Sequence, residues 1–451
     1  MPASIIDSHI FRDIFTTEAM RSVWSDENRT AHYLSIERAL AVVQGRLGFI
    51  PQEAADEIAR NCDIGKIDMD KLKAQTERIG YPILGVVSQL NALCRDRLGE
   101  YCHWGATTQD ITDTATVLQI REALVLVDAD LVAISSALAA LARKHRDTPM
   151  AGRSNLQQAI PITFGYKVAT ILAAVERHRS RLAELRPRVL VGEFGGACGT
   201  LASIEKGALE THAGLMAELG LGEPAIAWHT VRDTIAEVGC FLALVGGTLG
   251  KIAMDVKLMM QTEVGEVYEP FAHGRGSSST MPQKRNPISS CYIHAQASMV
   301  RQNAAALLDA CIADHERSTG PWEIEWIALP EAFCLTAGAL RQTRLVLEGL
   351  EVDAQRMREN LDMTNGLVMS EAVMMGLGPY IGREYAHDLV YDLCRQALRE
   401  DRPLIELLAS HPDIAKHLDR DALERLCDPA SYLGQAGAMV DRVLARRAAI
   451  H

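Results

Sequence analysis

Aromatic residues make up only 5% of this 451-residue chain, and its β-branched runs are short. Extended sheets draw on both residue types, so their scarcity directs attention to helices. The ten cysteines include no C-x-x-C pair, which argues against a zinc or disulfide framework and leaves reduced, buried thiols as the expectation. There is no H-x-x-x-H pair and no acidic ligand spacing, so no metal is expected, and the histidines, His229 among them, read as structural. The longest uncharged run, Ile79 to Cys94, is too short for a membrane span and contains Pro82, Gly85, Gln89 and Asn91. No basic-then-apolar leader opens the chain, so a cytoplasmic protein is expected. With a net charge of −12 the surface is unsuited to nucleic acid or an anionic membrane. A local cationic pocket for an anionic substrate remains compatible with that balance. Solenoid-length repeats and low-complexity segments are also absent.

What the chain does contain is helical periodicity. Hydrophobic residues amount to 48% and charged ones to 23%, an ordinary globular composition. Val117, Ile120, Leu124, Val127, Leu131, Ile134, Leu138 and Leu141 step by three and four, as do Val231, Ile235, Val238, Leu242, Val245, Leu249, Ile252, Val256 and Met259. A third series runs Ile293, Ala297, Val300, Ala304, Leu307 and Cys311. The first two predict helices of more than about 30 Å at 1.5 Å per residue, which require partner helices along their seams. Glycine and proline punctuation brackets the long helices and predicts an all-α protein of three domains: 1–111, helical; 112–360, a long-helix bundle; and 361–451, small and helical.

The most informative segment is the loop from Gly274 to Pro287. Two glycines precede four consecutive hydroxyls, Ser277, Ser278, Ser279 and Thr280, followed by Met281, Pro282, Lys284, Asn286 and Pro287. Glycines free the backbone, serines offer a base or nucleophile, and Lys and Asn donors can hold an oxyanion. The composition predicts a mobile catalytic loop. The run resembles the G-S-S-x-M-P-x-K-x-N signature of the fumarase/aspartase superfamily, with Ser277 in place of the first glycine. The resemblance implies Ser278 as general base, with Ser279 or Ser277 as alternatives. It also implies Lys284 and Asn286 as stabilisers of the anionic intermediate, and Ser279 and Met281 as substrate contacts.

Three further segments carry the likeness. His103 to Ile111 resembles the G-x-T-S-x-D-I pattern and implies carboxylate contacts from Thr107 and Thr108; read alone, such a segment is more often a helix cap, made here by Thr108 or Asp110. Gly152 to Thr163 resembles G-R-T-H-L-Q-x-A-x-P and implies Arg153, Asn155 and Gln158 at the substrate. The acid-donating His of fumarases and adenylosuccinate lyases is replaced here by Asn155, an amide that cannot donate a proton near neutrality. His315-Glu316-Arg317-Ser318 offers Arg317 as a carboxylate clamp, for which an ion pair is the plainer alternative. Adenylosuccinate lyases carry a further Arg where Trp326 stands, which argues against an AMP-bearing substrate. Gln261, in Gln261-Thr262-Glu263, is a further amide contact or an ordinary helix end.

Over nearly its whole length the chain is similar to the 3-carboxy-cis,cis-muconate cycloisomerase branch, notably at Phe194 to Ala197, Trp228 to Asp233 and Asp428 to Ala436. It departs from that branch at Asn155 and Gln158. The resemblance implies cofactor-independent β-elimination through an aci-carboxylate, in a homotetramer with a twenty-helix core and shared active sites. The amide at 155 favours a carbon–nitrogen lyase releasing fumarate and an amine from an N-substituted aspartate. Muconate cycloisomerisation and a catalytically silent scaffold are the alternatives.

Overall fold

A computed structural model describes residues 4–204, 206–270 and 272–450. It is all-α in character, with nineteen α-helices and two two-stranded sheets among the described residues. The chain divides into two compact units. One comprises residues 1–131, 178–250 and 292–342; the other comprises 132–177, 251–291 and 343–451.

Helix α1 (Asp26–Leu47) starts where the Ser25 hydroxyl accepts the Asn28 N–H, and acidic Asp26 and Glu27 follow in its first turn. Both features suit the positive end of a helix. Helix α2 (Met69–Ile79) is capped by the Asp68 carboxylate at Lys71 N–H and stops at Gly80, whose φ is +97°. In the first unit Leu34, Leu40, Ile58, Ile83, Leu90, Ile111, Leu118 and Phe194 form one apolar cluster. A separate cluster in the second unit is built from Val373, Leu377, Ala386, Leu404, Leu408 and Ile414.

The long helices are α3 (Thr108–Lys144), α4 (Phe164–Val189), α5 (Asp233–Met259), α6 (Ile288–Asp309) and α7 (Pro321–Glu348). Val117, Ile120, Leu124, Val127, Leu131, Ile134 and Leu138 of α3 are each at most 1% exposed, as the periodicity predicts. Helices α3 and α5 are long and apolar enough to cross a bilayer by length and composition, but their seams are buried within the fold.

Two expected series overrun their helices. Val231 lies outside α5 and is 61% exposed, because the neighbouring Arg232 turns inward to buried carboxylates. Cys311 falls beyond the end of α6 at Asp309. A further difference is the antiparallel hairpin of β1 (Pro149–Ser154) and β2 (Gln157–Thr163), which occupies a segment expected within the helical bundle. Its tip, Asn155-Leu156, adopts left-handed φ values of +51° and +64°.

Candidate active site

The loop carrying Ser278 is tied at its base. Asn286 donates twice to the Gly276 carbonyl, from its backbone N–H at 3.1 Å and from Nδ2 at 2.9 Å, and Ser277 bridges to Arg285. Gly276 sits at φ +67°, and a Cβ there would lie 2.6 Å from the Asn286 carbonyl oxygen. Glycine is therefore required by both backbone conformation and space. Arg285 anchors the outgoing strand of the loop through the Glu269 carbonyl, an ion pair with Glu351 and the face of Tyr268. Buried Glu269 in turn accepts the Ser289 and Ser290 N–H groups at the start of α6, where a helix terminus favours a carboxylate.

Within that frame the Ser278 hydroxyl accepts the backbone N–H groups of Thr280 at 3.3 Å and Met281 at 3.1 Å. Donors to this oxygen lower its electron density but favour its anionic form, the form a base needs. Ser279, Met281 and Lys284 are exposed. Ser278, Lys284 and Asn286 thus lie on one loop, within which the Lys284 backbone N–H donates to the Met281 carbonyl.

The Thr107-Thr108 turn is organised from beneath by buried Asp110. One carboxylate oxygen accepts the Gly195 N–H at 2.9 Å and His229 Nε2 at 2.7 Å. The other accepts Thr107 N–H at 2.9 Å and Gly196 N–H at 3.0 Å. Asp110 is therefore the capping group, and it also staples the Gly195-Gly196 segment to the head of α3. Glu193 approaches the same imidazole nitrogen, its Oε1 3.9 Å from Nε2. Its Oε2 takes the Trp228 N–H, whereas Oε1 is buried without a hydrogen-bond partner. Burial pushes the Glu193 carboxyl up to about 7; nearby Asp110 and Asp113 act in the same direction, against His229 and the Trp228 N–H.

The ligand atoms of Asp110, Glu193 and His229 all lie within 4.8 Å of one another, a spacing that a cation could use. Asp110, however, already accepts three backbone N–H groups and the imidazole, so this cluster is fitted as a hydrogen-bond staple. Sequence reading treated His229 as structural and missed this grouping. Beside it, His103 donates to Glu37 through Nδ1 at 2.6 Å. Burial opposes charge on that ring, but Glu37 outweighs it and holds the pKa above the usual value.

Arg317 uses its guanidinium on the protein itself. Nε donates to the Ala197 carbonyl, NH2 to the Gly196 and Ala197 carbonyls, and NH1 to Gln109 Oε1 at 2.6 Å. These bonds fasten the Gly196-Ala197 turn, and the ion pair weighed as the plainer alternative for Arg317 is not among them. Glu325 instead pairs with fully buried Arg232, which also forks onto Asp113. Asp113 further accepts the Trp322 indole N–H at 2.9 Å.

The hairpin residues likewise have protein partners. Arg153 makes a two-pronged pair with Glu266, at 2.9 and 2.6 Å, and the Glu266 side chain is 0% exposed. Asn360 completes that carboxylate's shell. Gln158 donates to the Asn360 carbonyl at 2.7 Å while its Oε1 is buried and unpartnered. Asn155 stands exposed at the hairpin tip, and Gln261 is exposed just past the end of α5.

Residues 9–301 match the lyase family, and residues 366–443 match the adenylosuccinate lyase C-terminus. The chain is 58% identical to trans-aconitate decarboxylase 1 of Mycosarcoma maydis over 434 residues, 96% of this chain and 88% of that one. It is 47% identical to 3-carboxy-cis,cis-muconate cycloisomerase of Pseudomonas aeruginosa over 446 residues, 98% of this chain and 97% of that one. The crystal structure of 3-carboxy-cis,cis-muconate lactonizing enzyme from Pseudomonas putida superposes with a TM-score of 0.93 at 42% identity, covering 98% of this chain and 99% of that one. A serine-bearing G-S-S-S-T-M-P loop on an all-α frame and likeness across the full length agree: the chain belongs to the lyase family of the fumarase/aspartase superfamily.

Proposed function

We propose that the chain is a cofactor-independent lyase acting on an unsaturated tricarboxylate, and that its reaction is decarboxylation of a trans-aconitate-type acid. The observation that carries this reading is the 58% identity to a trans-aconitate decarboxylase over 96% of the chain. The substrates in that relative's name and in the cycloisomerase's name share a constitution: each is an unsaturated tricarboxylate containing a but-2-enedioate unit.

Chemistry at position 155 agrees with this choice. Loss of CO2 from the carboxymethyl arm breaks a carbon–carbon bond and leaves its electron pair on the allylic carbon. That pair delocalises across the double bond onto the far carboxylate, giving the same aci-type dianion that elimination would produce. Lys284, Asn286 and loop N–H groups steady it; preorganised donors of this kind are worth about 3 kcal/mol each. The Ser278 hydroxyl then delivers a proton to the carbon beside that carboxylate, the reverse of its role as base. CO2 departs neutral and needs no acid, so an amide at Asn155 suffices where relatives of other activity need a His. Thr107 and Thr108 orient a carboxylate, and Asn155, Gln158, Gln261, Ser279 and Met281 line the remainder.

A second reading, a carbon–nitrogen lyase releasing fumarate from an N-substituted aspartate, is favoured by the same amide, which can hydrogen-bond an amine. Under either reading we place the enzyme in the cytoplasm as a homotetramer with shared active sites, each protomer having domains 1–111, 112–360 and 361–451.

The test supplies trans-aconitate, 3-carboxy-cis,cis-muconate and a set of N-succinyl amines separately. CO2 and an unsaturated dicarboxylate in equal amounts from trans-aconitate are expected. Fumarate from the succinyl amines without CO2 from any tricarboxylate moves the assignment to the second reading. Turnover of carboxymuconate alone assigns cycloisomerisation. If none of these compounds turns over, the silent-scaffold alternative stands.

A further inference from the structure

Thr280 stands at the position between the serines and Met281 that the G-S-S-x-M-P signature leaves open, so the motif itself does not call for a hydroxyl there. Its Oγ1 nonetheless lies 3.4 Å from Ser278 Oγ, and either atom can be the donor. Among the described residues no other side chain hydrogen-bonds Ser278. Ser278 is half-buried, whereas Thr280 is exposed, so the two hydroxyls run from the point of proton transfer out to solvent.

The bonds around Ser278 set the direction of that contact. A hydroxyl has one hydrogen and two lone pairs. Thr280 N–H and Met281 N–H take the lone pairs, which leaves the Ser278 O–H to donate to Thr280 Oγ1. Once Ser278 has given its proton away, its oxygen carries a third lone pair and Thr280 O–H can donate in return. The separation exceeds the usual O–H···O distance of about 2.7–2.8 Å, and catalytic hydrogen bonds of this length commonly tighten as substrate binds.

Proton balance gives the contact a task. Replacing a carboxylate by hydrogen consumes one proton for each CO2 released, and Ser278 holds only one. We propose that Thr280 is the relay that reprotonates Ser278 from solvent. Ser278 Oγ–H gives its proton to carbon and keeps the electron pair. The Thr280 O–H proton then crosses to Ser278 Oγ, and a solvent water protonates Thr280 Oγ1 and leaves as hydroxide. This relay rests on the reaction proposed above, in which Ser278 carries the proton; in an elimination the same hydroxyls work in reverse and export one.

Steady-state kinetics of the full-length protein with trans-aconitate test it. Thr280→Val keeps the branched shape and removes the hydroxyl, and should lower kcat about tenfold while KM stays within about twofold. Thr280→Ser should retain most of the parental rate. At constant pH, imidazole should raise the Thr280→Val rate as its concentration rises and leave the parent unchanged, because a diffusible acid replaces the missing hydroxyl; a merely structural role for Thr280 gives no such response. If Thr280→Val melts below the parent, Thr280→Ala is read in its place. Absence of CO2 with the parent protein fails the proposed reaction instead, and the variants are then compared on whichever of carboxymuconate or the succinyl amines turns over; turnover of none removes the relay as well. Parental kcat in the variant read, an equal loss in Thr280→Ser, or no response to imidazole would each overturn the relay and leave the reaction standing.

Discussion

His229 Nε2 meets Asp110 Oδ1 at 2.7 Å across 119 residues of sequence, and both side chains are buried. The bond joins the head of α3 to the turn before α5, and Asp110 extends it to the Gly195-Gly196 backbone. Replacing Asp110 by Ala strands three backbone N–H groups and the imidazole at once. Urea unfolding of Asp110→Ala should show a loss of about 3 kcal/mol or more. A change below about 1 kcal/mol would mean that water replaces the carboxylate.

Glu193 gives stability a pH dependence. Its folded-state pKa, raised to about 7 by burial, lies above the ordinary Glu value of 4.5. The stability held by the protonated form is therefore fully present below about 4.5 and lost as pH rises through about 7. At 1.36 kcal/mol per unit the loss is of the order of 3 kcal/mol. Glu193→Gln should flatten the stability profile across that window; a parent protein with no such decline would disprove the assignment.

The loop chemistry predicts a split between rate and stability. Ser278→Ala should lower kcat by about a hundredfold or more while shifting unfolding free energy by no more than about 1 kcal/mol, because its partners are exposed backbone N–H groups. Lys284→Ala should behave alike. Parental turnover in Ser278→Ala would move the proton-transferring role to Ser279 or Ser277.

Arg153 should show the opposite split. Its removal leaves Glu266 buried and short of its main counter-charge, so Arg153→Ala should cost about 3–5 kcal/mol in chemical denaturation. A variant that keeps full stability but loses substrate affinity would return Arg153 to the substrate role that its motif implies.

Much of this fold was legible because its signal is periodic. Leu124, Leu131 and Leu138 recur at helical spacing and are buried accordingly. The hairpin was not, because its strands are short and Gly152 and Pro161 interrupt any alternation; the available signal was Asn155, a turn-forming residue set between Met150 and the Ile160–Ile162 alternation. At the site, the serine loop was readable because Ser278, Lys284 and Asn286 lie within one run of sequence. The Asp110–His229–Glu193 staple and the Arg232–Asp113–Glu325 network were not, because their members come from distant segments and no local spacing encodes their meeting. Arg317 illustrates a subtler loss: residue type announced a guanidinium fork, but only the fold shows that backbone carbonyls fill it.

The paired hydrogen bonds from Asn286 to the Gly276 carbonyl turn the serine run into a closed ring whose two ends are fixed to each other. Any swing of that ring must pivot as a single flap, with the hydroxyl, the ammonium and the amide travelling together. The same closure makes 277–284 a transplantable cassette: exchanging it for another sequence alters the chemistry on offer while the Arg285 anchor and the Glu269 cap on α6 remain as they are.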